Sequence, residues 1–524
     1  MESETCKHIL LVPMIMWGHT RPMCTLAARL VKLHPDVAVT IFVSIGFYER
    51  ARAEIMRDFR SEDVHLMSKM TIVRLEQTSS PWDAAAYEAD FLATWTKFLD
   101  GQSLNGYAVD GKPRQVASTE KDKLSAAVID MFAIRTFDAF QSYKEALKIK
   151  VYTWFPSAIS SMFCYFIEDY IPRAHELAAR KGVSFDVAAH ELMFVPNGRL
   201  LQTPCLPPMY DYEYHPQAAF SVPEFSGRIL IHVHRVLKET DGLITIDAAD
   251  YHPGTTAAAR AWFAPRAVHY AGPLVPISSG TTSADKDAAD VMQFLDAHLR
   301  SHGPKSAILV SPKSLAAIRQ CSLRARGKIS FGSMFWPADP AKVGAVLDIL
   351  IENNVPFVLS RCSALATIPK ETEDRLAKCP HAFVSSWVPQ QAALSHTVTG
   401  WCLTHAGVNT VFECIFADVP MILWPIDADQ PPNAIHLAED LVVAYELLEV
   451  RNGAGLGTIY RTGKTPSGTI DAVKSELLDI LARAFGSDGD AKRARLSELK
   501  SKLQGAWKEG GEARKDMVAF IDNV

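Results

Sequence analysis

The feature that most constrains the fold is a run of apolar segments too continuous for half-exposed strands and too short for membrane spans. His8–Pro13 (HILLVP) is apolar throughout, and Val37–Ser44 (VAVTIFVS) nearly so. A strand lacking polar alternation must be covered on both faces, as in a parallel sheet flanked by helices. Between them Pro22–Leu33 reads as the crossover helix, with proline in its first turn and Leu26, Ala27, Leu30 and Val31 on one face. Similar runs recur at Ala126–Met131, Val151–Phe155 and Gly242–Asp247. They resume at Lys328–Phe331, Pro356–Leu359, Ala382–Ser385, Trp401–Thr404 and Pro420–Trp424, beyond the Pro-, Ser-, Thr- and Gly-rich stretch Pro273–Ala289. This order predicts an α/β chain of two Rossmann-like, doubly wound parallel-sheet domains. We expect a first domain over 1–272, a linker over 273–290 and a second domain over 291–487. A charged helical segment, 488–524 (Arg493, Leu496, Leu499, Leu503, Trp507), should pack across the boundary. At 524 residues the chain exceeds one compact core and suits two large ones.

Two segments break the pattern. Ala84–Leu99 reads as an aromatic-rich helix (Tyr87, Phe91, Trp95, Phe98), with a long polar loop expected over 100–123. Val310–Lys328 (VSPKSLAAIRQCSLRARGK) separates Ala307–Leu309 from Ile329–Phe331, which together read as one buried strand. The segment is either a surface loop or a translated intron of 19 codons; interruption of an element that tolerates none favours the second.

Composition removes several function classes. A net charge of −5 without a long basic run argues against a nucleic-acid backbone binder, so an anionic ligand needs a local binding device. Nine scattered cysteines without a CxxC pair fit a reducing compartment and give no metal framework. Met1–Lys7 is polar, and Val151–Ile167 is interrupted by Pro156 and by small and polar residues. A cytoplasmic protein without a membrane span is expected.

The chemistry concentrates between Trp387 and Gln430. Trp387 follows a strand, where an indole can stack on a flat base or simply end a core. Trp401–His405 is a strand, and Ala406-Gly407-Val408-Asn409-Thr410 turns from it into a helix. Backbone N–H groups and the positive helix end there suit a phosphate, with His405, Asn409 and Thr410 as side-chain donors. Asn and Thr at a helix start are also ordinary N-caps. Glu413, one turn in, can accept the vicinal hydroxyls of a ribose. Asp429-Gln430 follow the next strand at the sheet edge where ligands of α/β folds gather. Gly453–Gly457 is GxGxG with no helix opening behind it, and reads as a loop and not as a dinucleotide fingerprint.

These 44 residues resemble the plant secondary-product glycosyltransferase box of the family 1 UDP-dependent glycosyltransferases. WVPQ at 387–390, His396, THAG at 404–407, Asn409, Glu413, VPM at 419–421, WP at 424–425 and DQ at 429–430 carry the match, without a gap. Ala406, Val408 and Asp418 depart from the plant pattern, where Cys, Trp and Gly are usual. The resemblance implies a GT-B fold with two domains facing a cleft. It further implies uracil on Trp387, ribose on Gln390 and Glu413, diphosphate on His405, Gly407, Asn409 and Thr410, and the sugar on Asp429 and Gln430. HILLVPMIMWGHTRPM (8–23) is similar to the family's first strand and GHxxP loop, placing His19 as catalytic base. AAVID (126–130) places Asp130 as the residue that orients it, and SFGS (330–333) adds Gly332 and Ser333 at the phosphates. Taken alone, His19 is as well a structural loop residue. DGLITID (241–247) and HYAGPL (269–274) match further, while residues 50–120 show no specific match.

The expected activity is inverting transfer of a hexose, glucose by resemblance, from a UDP-sugar to a hydroxyl of an apolar small molecule. Neither metal nor cofactor is expected, and the enzyme is expected to be a monomer. Trp17, Phe91, Trp95, Met131 and Phe132 are candidate acceptor-pocket walls, although each could equally be core. The alternative is a catalytically inactive nucleotide-sugar or metabolite binder on the same fold. A Rossmann-type oxidoreductase is disfavoured by the missing GxGxxG.

Overall fold

The computed structural model describes residues 7–76, 83–117, 123–166, 168–217, 223–276, 286–311, 336–361 and 367–524. Its apolar runs form two sheets. In the first, the parallel strands lie in the order Ala267–Tyr270, Gly242–Thr245, Lys150–Phe155, Leu124–Asp130, Lys7–Val12, Val37–Ser44 and Met70–Leu75. The six-stranded parallel second sheet runs Ala382–Ser385, Phe357–Ser360, Ala307–Ser311, Thr399–Thr404, Met421–Leu423, Ala444–Glu446. Each reverses its winding beside its own first strand. Lys7–Val12 pairs with Val37–Ser44 on one side and Leu124–Asp130 on the other. Ala307–Ser311 likewise stands between Phe357–Ser360 and Thr399–Thr404. At such a reversal neighbouring crossover helices diverge and leave a crevice at the carboxyl ends of the strands.

Three expectations are corrected. The stretch 100–123 is not all loop: Leu104–Tyr107 and Pro113–Val116 form an antiparallel hairpin on the edge beside Met70–Leu75, making that sheet nine-stranded. The first helix spans Trp17–Leu33, so it begins five residues before the expected start at Pro22 and holds that proline inside it. Val310 and Ser311 belong to the strand Ala307–Ser311 and pair with Leu403 and Thr404, so the chain remains regular two residues into the suspected insertion. Its remainder, with Gly332 and Ser333, lies outside the described residues, as do 277–285 of the linker region.

The C-terminal residues touch both domains. In helix Ser487–Leu503, Ser497 donates to Asp418 and Arg493 to the Gly400 carbonyl. Trp507 Nε1 then donates to the Ala271 carbonyl at 2.9 Å, and from helix Glu512–Asp522 Asp516 binds Arg260 in the first domain. Buried Leu496, Leu503, Met517 and Phe520 join the apolar core that spans the two sheets.

Candidate active site

His19 lies in the first turn of the helix that follows Lys7–Val12, and Asp130 ends the neighbouring strand Leu124–Asp130. The switch point brings these two together from 111 residues apart: His19 Nδ1 is 2.8 Å from Asp130 Oδ2, and both are buried. The second carboxylate oxygen, Oδ1, accepts the Phe132 N–H at 3.1 Å. With Asp130 fixed on both oxygens, the ring's Nε2 edge is the one left for a substrate hydroxyl.

The second crevice is built in the same manner. Ser311, ending its strand, donates to Gln390 Oε1 at 2.9 Å, and Gln390 Nε2 donates to Glu413 Oε2 at 2.6 Å. The chain leaves Thr399–Thr404 through His405, takes a left-handed conformation at Ala406 and opens the helix Val408–Ala417 at Gly407. A Cβ on Gly407 would stand 2.7 Å from His405 Nε2, so glycine is what lets the imidazole lie across the helix start. Thr410 is fully buried, and Trp387 is half-buried at the mouth of its strand.

One proline links the two crevices. Pro22 has no N–H to give the Gly18 carbonyl four residues back. That carbonyl instead accepts Asn409 Nδ2 at 2.9 Å, from the other domain. Arg21, on the same turn, ion-pairs with Glu413 and approaches Asn409 Oδ1 at 3.4 Å. The sugar candidates are both held by hydrogen bonds within the protein, Asp429 half-buried and Gln430 buried. Asp429 Oδ2 accepts the Val408 N–H at 3.0 Å and Asn433 Nδ2 at 3.1 Å. Gln430 turns its amide oxygen onto the N–H groups of Ile426 and Asp427. Burial raises the Asp429 carboxyl above its ordinary range, and it lifts nearby Asp247 to about 6.

The family described as "UDP-glucoronosyl and UDP-glucosyl transferase" matches residues 322–450, starting inside the suspected insertion and covering the whole 387–430 stretch. A UDP-glycosyltransferase of Hericium erinaceus, eriJ, is 28% identical over 99% of this chain and 98% of its own. A hydroquinone glucosyltransferase of Rauvolfia serpentina is 24% identical, over 96% and 98%. A Siraitia grosvenorii transferase solved with UDP superposes with a TM-score of 0.65, at 17% identity, over 98% of this chain and 99% of that one. UGT71G1 of Medicago truncatula, solved with UDP-glucose, gives 0.63 at 16% identity, over 99% and 98%.

The chain is similar over nearly its whole length to UDP-glycosyltransferases of fungi and plants. Its architecture is the GT-B fold.

In this glycosyltransferase the proposed acceptor walls divide. Phe132 lies beside His19, ring centroids 5.8 Å apart, and Trp17, at the start of the same helix as His19, packs on Phe47. Phe91 and Trp95 do not reach the cleft. They are buried in the core against Phe42 and Phe140, with centroids 4.9 Å (Phe42–Phe91) and 4.7 Å (Trp95–Phe140) apart, because the helix Ala84–Leu99 turns its aromatic face onto the sheet. Met131 is buried in a separate apolar cluster with Phe155 and Met162.

Several site residues were not singled out from the sequence. Arg21 stands inside the GHxxP motif at one of its variable positions, which carries no signal of its own. Gln391 Nε2 also donates to Glu413, at 3.1 Å, and its position one residue after Gln390 was the available signal. Tyr165 and His215 of the first domain bind Asp427 at 2.9 and 3.1 Å, just before the sugar candidates, and carry no local signature. Among the described residues, His252, His436 and Asp440 bring potential metal-ligand atoms within 4.8 Å of one another. Both nitrogens of His436 already have partners, Asp440 at 2.8 Å and the Tyr251 carbonyl at 3.1 Å, and the group joins the two domains through hydrogen bonds. No described helix is long and apolar enough to cross a membrane.

Proposed function

We propose that this glycosyltransferase moves glucose from UDP-glucose to a hydroxyl of an apolar small molecule, inverting the anomeric carbon. The observation that carries the proposal is the His19–Asp130 pair, set on a helix that Asn409 ties to the start of Val408–Ala417. Neutral His19 takes the hydroxyl proton on Nε2, and Asp130 holds Nδ1–H and stabilises the imidazolium. The hydroxyl oxygen forms a bond to the anomeric carbon as the bond to the diphosphate oxygen breaks on the opposite face. An α-linked donor thus gives a β-glycoside and UDP. Trp387 would carry the uracil, Glu413 and Gln390 the ribose, His405, Asn409 and Thr410 the diphosphate, and Asp429 and Gln430 the glucose. Phe132, beside His19, would receive the apolar acceptor together with Trp17; the Rauvolfia relative's named substrate, hydroquinone, is of that class. We read the enzyme as a cytoplasmic monomer whose own residues perform the step without metal or cofactor.

The test is UDP release and product mass from UDP-glucose with a panel of phenols and terpenoid alcohols. His19→Ala should lower turnover on the order of 10³-fold while UDP affinity stays within about threefold. If no acceptor yields a glycoside although UDP binds, the chain is a nucleotide-sugar binder.

A further inference from the structure

The geometry points to Arg21 as a donor-positioning residue that exchanges partners. Its guanidinium holds Glu413 until the ribose claims that carboxylate, and it then moves onto the diphosphate. This inference rests on the donor site proposed above. Glu413 is the carboxylate that the ribose hydroxyls require, and it is engaged by Arg21 together with the amides of Gln390 and Gln391. The same guanidinium already reaches Asn409 Oδ1, one of the proposed diphosphate side chains, at 3.4 Å. A small rotation about the side chain therefore carries the charge from the ribose position to the phosphate position.

Electrostatics require such a cation. The diphosphate would enter beside Glu413 and Asp429, and Asp247 lies close enough to Asp429 for that carboxylate to add to the burial that raises the Asp247 carboxyl. The helix start offers less than its sequence promised, because the Val408 N–H is bound by Asp429 and the Thr410 N–H by the Gly407 carbonyl. Arg21 is buried, its charged form favoured by Glu413 and Glu54 against the cost of desolvation. A planar guanidinium with several donors suits two phosphate oxygens as well as it suits a carboxylate. Its place in the chain adds a consequence. The helical turn that points His19 at Asp130 also points Arg21 at the donor helix, so occupation of the donor site sets the position of the base.

Calorimetric titration of UDP and of uridine on the wild type, Arg21→Lys and Arg21→Gln tests this. Uridine has the ribose but no phosphate. In Arg21→Gln, UDP affinity should fall by about tenfold or more, while uridine affinity holds or rises because Glu413 is released. In Arg21→Lys, which keeps the charge, the UDP-to-uridine affinity ratio should fall by only about threefold. Equal loss of UDP and uridine in both variants overturns the assignment, since Arg21 then serves only the fold. Tightening of both ligands also overturns it, since Arg21 then only blocks the ribose. A wild type that binds neither UDP nor UDP-glucose strikes the donor reading itself. If Arg21→Gln fails to fold, the ratio in Arg21→Lys decides.

Discussion

Replacing Asp130 by Asn changes one atom and tests the proposed base directly. Oδ1 accepts the Phe132 N–H at 3.1 Å, and Oδ2 lies 2.8 Å from His19 Nδ1. Asparagine must surrender one acceptor. An NH₂ facing the Phe132 N–H would set two donors against each other at a residue only 1% exposed, so the amide oxygen goes to Phe132 and the NH₂ to His19. His19 must then accept at Nδ1 and carry its proton on Nε2, the atom that has to receive the substrate's proton. The imidazolium also loses its counter-charge. Two unit charges about 4 Å apart in an effective dielectric of about 20 interact by about 4 kcal/mol. That corresponds to a loss on the order of 10³ in kcat. The assay is initial-rate UDP release at saturating UDP-glucose and acceptor, with UDP titration and thermal unfolding as controls. UDP affinity should hold within about threefold, because Asp130 touches none of the donor residues. A folded Asp130→Asn enzyme retaining kcat within about tenfold of wild type would refute the role given to the pair.

Gly407→Ala keeps an allowed backbone but drives a methyl to 2.7 Å from His405 Nε2. UDP affinity measured by titration should fall about tenfold, the loss of one hydrogen bond to a charged group, with little change in unfolding temperature. Trp95→Ala should destabilise the first domain by about 3–5 kcal/mol in urea, since the ring is buried against Phe91, Phe98 and Phe140. It should leave the acceptor KM unchanged, and a raised KM in the folded variant would return Trp95 to the pocket. Burial raises the Glu88 carboxyl from 4.5 to about 7, only partly opposed by the Arg135 N–H at 2.8 Å. The folded state therefore binds a proton that the unfolded state has released, and stability falls as pH rises from about 4.5 to about 7. Glu88→Gln removes that loss, so denaturant titrations should show it more stable than wild type by up to about 3 kcal/mol at pH 8, with no gain at pH 4. Deleting 310–328 puts Ile329 and Ser330 directly after Leu309, in place of Val310 and Ser311, and so preserves a hydroxyl for Gln390. Soluble yield and turnover should rise; loss of folding on deletion, with these codons present in the transcript, would show the segment to be native.

The sequence by itself determined the layer architecture and the donor stretch. Unalternating strands such as His8–Pro13 can only be covered on both faces, and residues from Trp387 to Gln430 are close enough in the chain for spacing to fix their order around one strand–helix turn. It could also name His19 and Asp130 through resemblance, but not their contact, which depends on Leu124–Asp130 lying beside Lys7–Val12. The hairpin at 104–116 is not legible in the sequence, because short edge strands with one polar face have no signal that distinguishes them from loop. Phe91 and Trp95 were ambiguous for a related reason: an aromatic helical face looks the same whether it meets a sheet or a ligand. Only the tertiary structure decided that Pro22 continues the first helix and frees the Gly18 carbonyl for Asn409. It alone set Arg21 on Glu413, 392 residues away. Local pattern fixes what each segment can be. The partner of a buried charge or an unpaired carbonyl is fixed by which elements the two sheets bring face to face.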